Sequence, residues 1–133
     1  MAKLCQAAEY VLLQEAPDVV AACAAGGLPP ASLFQAWLSR SWLGVLPLAE
    51  AALCSVVLPV LLGPDYPAYQ CVVLLLERRA QLLVAARQGD LVVWAADGSG
   101  GGWPGLAVCM PQLQALQNRH RQLVLGFLFS ESP

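Results

Sequence analysis

Residues 41–64, SWLGVLPLAEAALCSVVLPVLLGP, decide how the chain is to be read. The stretch is long enough to cross a bilayer as a helix, and its Leu and Val residues each favour insertion by a few tenths of a kcal/mol. Against that, Glu50 stands near the centre at a cost of about 2.5 kcal/mol or more, and Pro47 and Pro59 interrupt the run. The two sides come close to cancelling. The segment therefore reads as a buried helix over about 48–62, kinked by Pro59. Pro47 opens it where a missing N–H costs nothing, and Gly63–Pro64 stops it.

Working outward, the N-terminal flank divides at its prolines and glycines. Leu4, Ala8, Val11 and Leu12 recur at helical spacing, and Pro17 forces a break near Glu15–Ala16. A second short helix over 18–25 ends at Gly26–Gly27, and Pro29–Pro30 prevents its continuation. Ser32 is placed to cap a helix over 33–38 that carries Phe34 and Trp37. On the other side, Asp65-Tyr66-Pro67 makes a turn into one long helix over 68–88. Tyr69, Val72, Val73, Leu76, Ala80 and Leu83 form its apolar face, with Arg78, Arg79 and Arg87 turned to solvent. Residues 91–94 fit strand or helix, and the Gly-rich run over 97–105 reads as a flexible loop. Pro111 opens a last amphipathic helix to about Phe129, with Leu113, Leu116, His120, Leu123, Val124, Phe127 and Leu128 on one face. The pattern is all-α: a compact domain of about five to seven helices.

Composition agrees with a core-rich domain. Of 133 residues, 58% are apolar and 12% charged, where soluble domains carry about 25% charge. The formal net charge of −2 supplies no basic stripe for nucleic acid. Cys5, Cys23, Cys54, Cys71 and Cys109 form no CxxC pair and read as buried thiols of a reducing compartment. The first ten residues lack the form of a signal peptide, Ala2 stands where myristoylation needs glycine, and the chain ends Ser-Glu-Ser-Pro rather than in a CaaX box. These features set the expectation of a cytoplasmic protein.

Chemistry is sparse. The glycines over 98–102 lack the Lys-Ser/Thr of a phosphate loop and the spacing of a dinucleotide fingerprint. His120 is the only histidine, and its chain neighbours are Arg119 and Arg121, not a carboxylate; it reads as structural or partner-facing. Neither a metal site nor a cofactor is expected. Glu9 and Glu15 are too far apart to share one helix face, and Glu77-Arg78-Arg79 reads as a solvated patch.

The order of these signals from Leu12 to Leu83 resembles the C-terminal half of a TBC domain, the Rab GTPase-activating fold. The stretches that carry the likeness are Leu12-Leu-Gln-Glu-Ala-Pro-Asp, Gly27-Leu-Pro-Pro and Leu33-Phe-Gln-Ala-Trp37-Leu, then Val45-Leu-Pro-Leu-Ala-Glu50, Leu61-Leu-Gly63 and Val72-Val-Leu-Leu-Leu-Glu77. The departures are equally specific. Val56–Val57 stand where the family's buried helix carries a Trp–Asp pair. In the resembled family the fingers, an arginine in an I-x-x-D-x-x-R motif and a glutamine in a Y-x-Q motif, lie in the N-terminal half; neither motif occurs in this chain, where Tyr69 and Gln70 are adjacent. The resemblance implies a half-domain over 1–94, a Gly-rich loop over 95–105 and a C-terminal helix over 106–133 packed on the same domain. It further implies a non-catalytic module, a pseudo-GAP, working by protein contacts in Rab GTPase regulation or membrane trafficking, and peripheral to membranes through a partner. The partner is a Rab-type small GTPase or a subunit covering the apolar helices; the alternatives are an unrelated helical scaffold with an obligate apolar interface and a small integral membrane protein. Aromatic and Arg anchors dominate interfaces, so Trp103, Trp42, Trp37, Arg78 and Arg79 are the candidate contacts. Trp37 and Trp42 also fit the core, and Trp103 is the most exposed of the three by sequence.

Overall fold

In a computed structural model, which describes residues 2–96 and 103–130, the chain forms eight helices. They are α1 (Ala2–Glu15), α2 (Pro17–Ala25), α3 (Pro30–Ser39), α4 (Leu48–Leu62), α5 (Tyr66–Glu77), α6 (Arg79–Arg87), α7 (Leu91–Ala96) and α8 (Leu106–Leu128). No strand occurs among the described residues. Most of the Gly-rich loop, residues 97–102, lies outside them, as do residues 131–133.

The breaks fall where backbone chemistry puts them. Ala16 separates α1 from α2 because Pro17 opens the second helix at its first turn. Pro29 and Pro30 do the same for α3. Its N-terminus is not capped by Ser32, however: the backbone N–H of Ala31 donates to Glu9 Oε2 at 2.9 Å, so the cap comes from α1. Pro59 does not end α4. Residues Leu53–Val57 form a turn of π-helix, with the N–H of Leu58 bonded to the carbonyl of Leu53, and this wider turn absorbs the hydrogen bond that Pro59 cannot make.

Two expectations are corrected and one open reading is decided. The helix over 68–88 is two helices, because the chain turns at Arg78 (φ −107°, ψ 14°) and α6 leans onto α2. Residues 91–96, which fitted strand or helix, form a helix, and with the break at Arg78 the described residues make eight helices. The last helix begins at Leu106, five residues before Pro111, because a distant carboxylate caps it there.

The core is built around α5, whose Tyr66 and Ala68–Leu75 are all buried. Helices α1, α3 and α8 pack on it, and α1 also meets α2, α3 and α8. Val11, Leu12, Val19, Phe34, Leu113 and Leu116 complete the interior. By contrast, α4 rests on α5 by one face and turns the other to solvent. The sequence reading of 48–62 as a buried helix therefore fails for its outer side: α8 folds over α1 and α5 and leaves that face uncovered.

No single helix among the described residues is long and apolar enough to cross a membrane. The pair α2 and α3 has the length and composition together, but it bends by 93° and buries Val19, Cys23, Leu33, Phe34 and Trp37 in the core.

Candidate functional site

The polar groups of this domain are spent mainly on joining helices. Glu50, on the first turn of α4, accepts the indole N–H of Trp103 at 2.9 Å and the backbone N–H of Leu106 at 2.6 Å. One carboxylate thus ties the end of the Gly-rich loop to α4 and satisfies an orphan N–H at the start of α8. Glu15, at the end of α1, faces His120 Nε2 at 2.9 Å and Arg119 at 3.2 Å. Asp65, wholly buried in the turn between α4 and α5, accepts the Tyr69 hydroxyl at 2.7 Å. Gln117 of α8 donates to the carbonyl of Leu62 at 2.9 Å beside it. Burial and the Asp65 bond hold the Tyr69 phenol well above its usual range.

Each predicted contact residue can now be placed. Trp37 and Trp42 are buried, their rings 6.0 Å apart, and the Phe34 ring is 5.8 Å from Trp37. Trp42 reaches the core from a left-handed backbone (φ 64°), and its N–H bonds to the carbonyl of Trp37 at 3.0 Å. Neither ring is offered to a partner. Trp103 is half-buried, packed against the core and held by Glu50. Arg78 is only 2% exposed, which corrects its placement on a solvated face. Its Nε and Nη1 have no hydrogen-bond partner, and burial lowers its pKa. Arg79 is on the surface and pairs with Asp18 of α2. The structure does not bring the five together into one site.

A nucleophilic reading of the cysteines also fails on physical grounds. All five are buried free thiols. Burial pushes Cys54 up to about 12, with Glu50 adding to the effect, and Cys23 and Cys109 up to about 11. Such thiols are inert at neutral pH. His120 has a carboxylate partner after all, from a helix 105 residues away, but no nucleophile is bonded to it. Among the described residues no group of three or more His, Cys, Asp or Glu is placed to hold a metal.

What the surface does offer is apolar. Val56, Val60 and Leu61 on α4 are 63%, 80% and 72% exposed. A groove of about 190 Å³ runs between α1 and α8, lined by Tyr10, Leu123 and Phe127. A wider one lies between α6 and α7 beside Val84, Val93 and Trp94. Spacing marks these residues as apolar without separating covered faces from open ones, because an apolar residue reads as core until the covering element is known.

Fold and surface together define an all-α module with exposed apolar faces. The family model described as "Broad-minded protein Rab TBC domain" matches residues 3–128, nearly the whole chain, and the protein belongs to that family. No match is found among curated proteins or solved structures.

Proposed function

We infer that this TBC-type module regulates a Rab-type small GTPase, or a trafficking step that depends on one, by binding and without catalysing hydrolysis. The observation that carries the reading is a family member with neither finger motif: no I-x-x-D-x-x-R and no Y-x-Q occurs in its 133 residues. An arginine finger stabilises charge on the transferring phosphoryl group, and three of the six arginines here are engaged otherwise. Arg119 pairs with Glu15, Arg79 with Asp18, and Arg78 is enclosed. Among the five contact candidates Arg79 remains a surface residue, its side chain 48% exposed. The module works in the cytoplasm and reaches membranes through its partner. Its organisation is a half-domain over 1–94, with α8 packed on the same unit through the Gly-rich connection. The test is direct binding of the chain to purified Rab GTPases loaded with GTP or GDP analogues. Saturable binding to at least one is expected, and failure to bind any of a broad panel removes the reading.

A second reading, an apolar interface that needs another subunit, is favoured by one observation: the uncovered face of α4.

A further inference from the structure

Helix α4 has two apolar faces, and the fold uses one. Ala51 and Cys54 are buried, and Leu58 and Leu62 pack against the core. On the opposite side Leu53, Val56, Val57, Val60 and Leu61 are exposed. Their spacing is i, i+3, i+4, i+7, i+8, the period by which a helix packs against another helix. Exposed Ala49 and Ala52 extend the stripe by one turn with side chains small enough for close approach.

We propose that this stripe is the interface between two copies of the chain, each α4 crossing its mate near Val56–Val57. Two features fit a second copy. The stripe carries no charge, the only charged side chain on the helix being Glu50, which is occupied at the other end by Trp103 and Leu106. A two-fold contact brings each residue against the same patch, and an uncharged stripe meets itself without repulsion. A lipid surface would instead call for Lys or Arg flanking the apolar face, and α4 has none.

The second feature is area. The exposed fractions of Leu48, Leu53, Val56, Val57, Val60 and Leu61 leave on the order of 600 Å² of side-chain surface, against about 800 Å² per partner in a standard stable interface. That is enough for a reversible dimer and too little for an obligate one. The inference replaces the obligate interface of the second reading with a reversible self-contact and is independent of Rab binding, so either can fail alone.

Sedimentation velocity of the chain between about 1 and 100 μM tests it, the range in which a micromolar interface is half occupied. The expected result is a monomer–dimer equilibrium. Val60→Glu and Val56→Glu shift its midpoint upward by about tenfold or more and leave the helical circular dichroism unchanged, since both sites are exposed. Val93→Glu, on the exposed side of α7, leaves the midpoint where it is. A monomer at every concentration overturns the proposal, as does a dimer indifferent to Val60→Glu. Flotation of a monomer with phosphatidylcholine vesicles, abolished by Val60→Glu, would assign the stripe to lipid and overturn it equally.

Discussion

Glu50 and Leu106 are 56 residues apart in the chain, and the carboxylate of one receives the backbone N–H of the other at 2.6 Å. The same pattern recurs between Glu9 and Ala31 at 2.9 Å. Both helices begin without a cap from their own N-terminal residue, so in each case tertiary structure supplies what local sequence leaves out. Both glutamates act here as fasteners between helices.

Removing the first fastener should be costly. A helix cap is worth about 1 kcal/mol and a hydrogen bond to a charged group about 1.5–3 kcal/mol. Glu50→Ala is expected to lower the stability by about 2 kcal/mol in urea unfolding and to speed amide exchange at Leu106. Glu50→Gln, which still accepts one bond, loses less. Unchanged exchange at Leu106 would mean that the bond does not form in solution.

Gly63 stops α4 with φ 126°, a conformation side chains rarely adopt. A Cβ built there stands 2.5 Å from Asp65 Oδ1, and Asp65 is pinned by Tyr69 and flanked by Gln117. Gly63→Ala therefore combines backbone strain with displacement of a buried carboxylate. A loss of about 2 kcal/mol or more in thermal or urea unfolding is expected, and a neutral substitution would contradict the turn geometry.

The neighbours Arg78 and Arg79 should behave in opposite ways. Arg78 is enclosed with no acidic partner, and an uncompensated buried charge is unfavourable. Arg78→Met is expected to raise stability by about 1 kcal/mol. Arg79 and Asp18 form an ion pair with both side chains about half in solvent, so Arg79→Ala should change stability by less than about 0.5 kcal/mol. Equilibrium urea titration of the two variants checks both signs.

Stability should fall in alkali through the buried thiols. Their ordinary value is 9.0, and the fold holds Cys54 at about 12 and Cys23 and Cys109 at about 11. Below pH 9 both folded and unfolded chains keep these protons, and this stabilisation is complete. Between pH 9 and the folded values the unfolded chain releases protons that the folded chain retains, so stability declines as pH rises. Each thiol contributes up to about 1.4 kcal/mol per pH unit in that window. Urea midpoints measured from pH 7 to 10.5 should be flat and then fall. Cys54→Ala should make the fall shallower, and an unaltered slope would place Cys54 outside the core.

The sequence shows much of the fold through its punctuation. Pro17, Gly26–Gly27, Pro30 and Gly63 mark helix ends as prolines and glycines do anywhere, because their constraint is local. The turn at Arg78 has no such mark: neither proline nor glycine is present, and a run of charge reads as solvated. Nor does Leu106 announce a helix start, since its cap lies on α4. The candidate contacts fared according to the same logic. Trp37 and Trp42 sit at helical and turn positions that fill the core, and Trp103 is captured by a carboxylate that spacing does not reveal. The outward face of α4 could not be told from its inward face, because 48–62 is apolar on nearly every side. Hydrophobicity says that such a helix seeks cover, and only the packing of the other helices shows on which side cover is missing.

The central claim is regulation by binding without catalysis, and its most direct test is single-turnover GTP hydrolysis by Rab GTPases with a saturating excess of the chain. Hydrolysis with the chain present should stay within about twofold of the intrinsic rate, where a working arginine finger would raise it by about 10³-fold or more. An acceleration of that order by any member of the panel would contradict the non-catalytic reading.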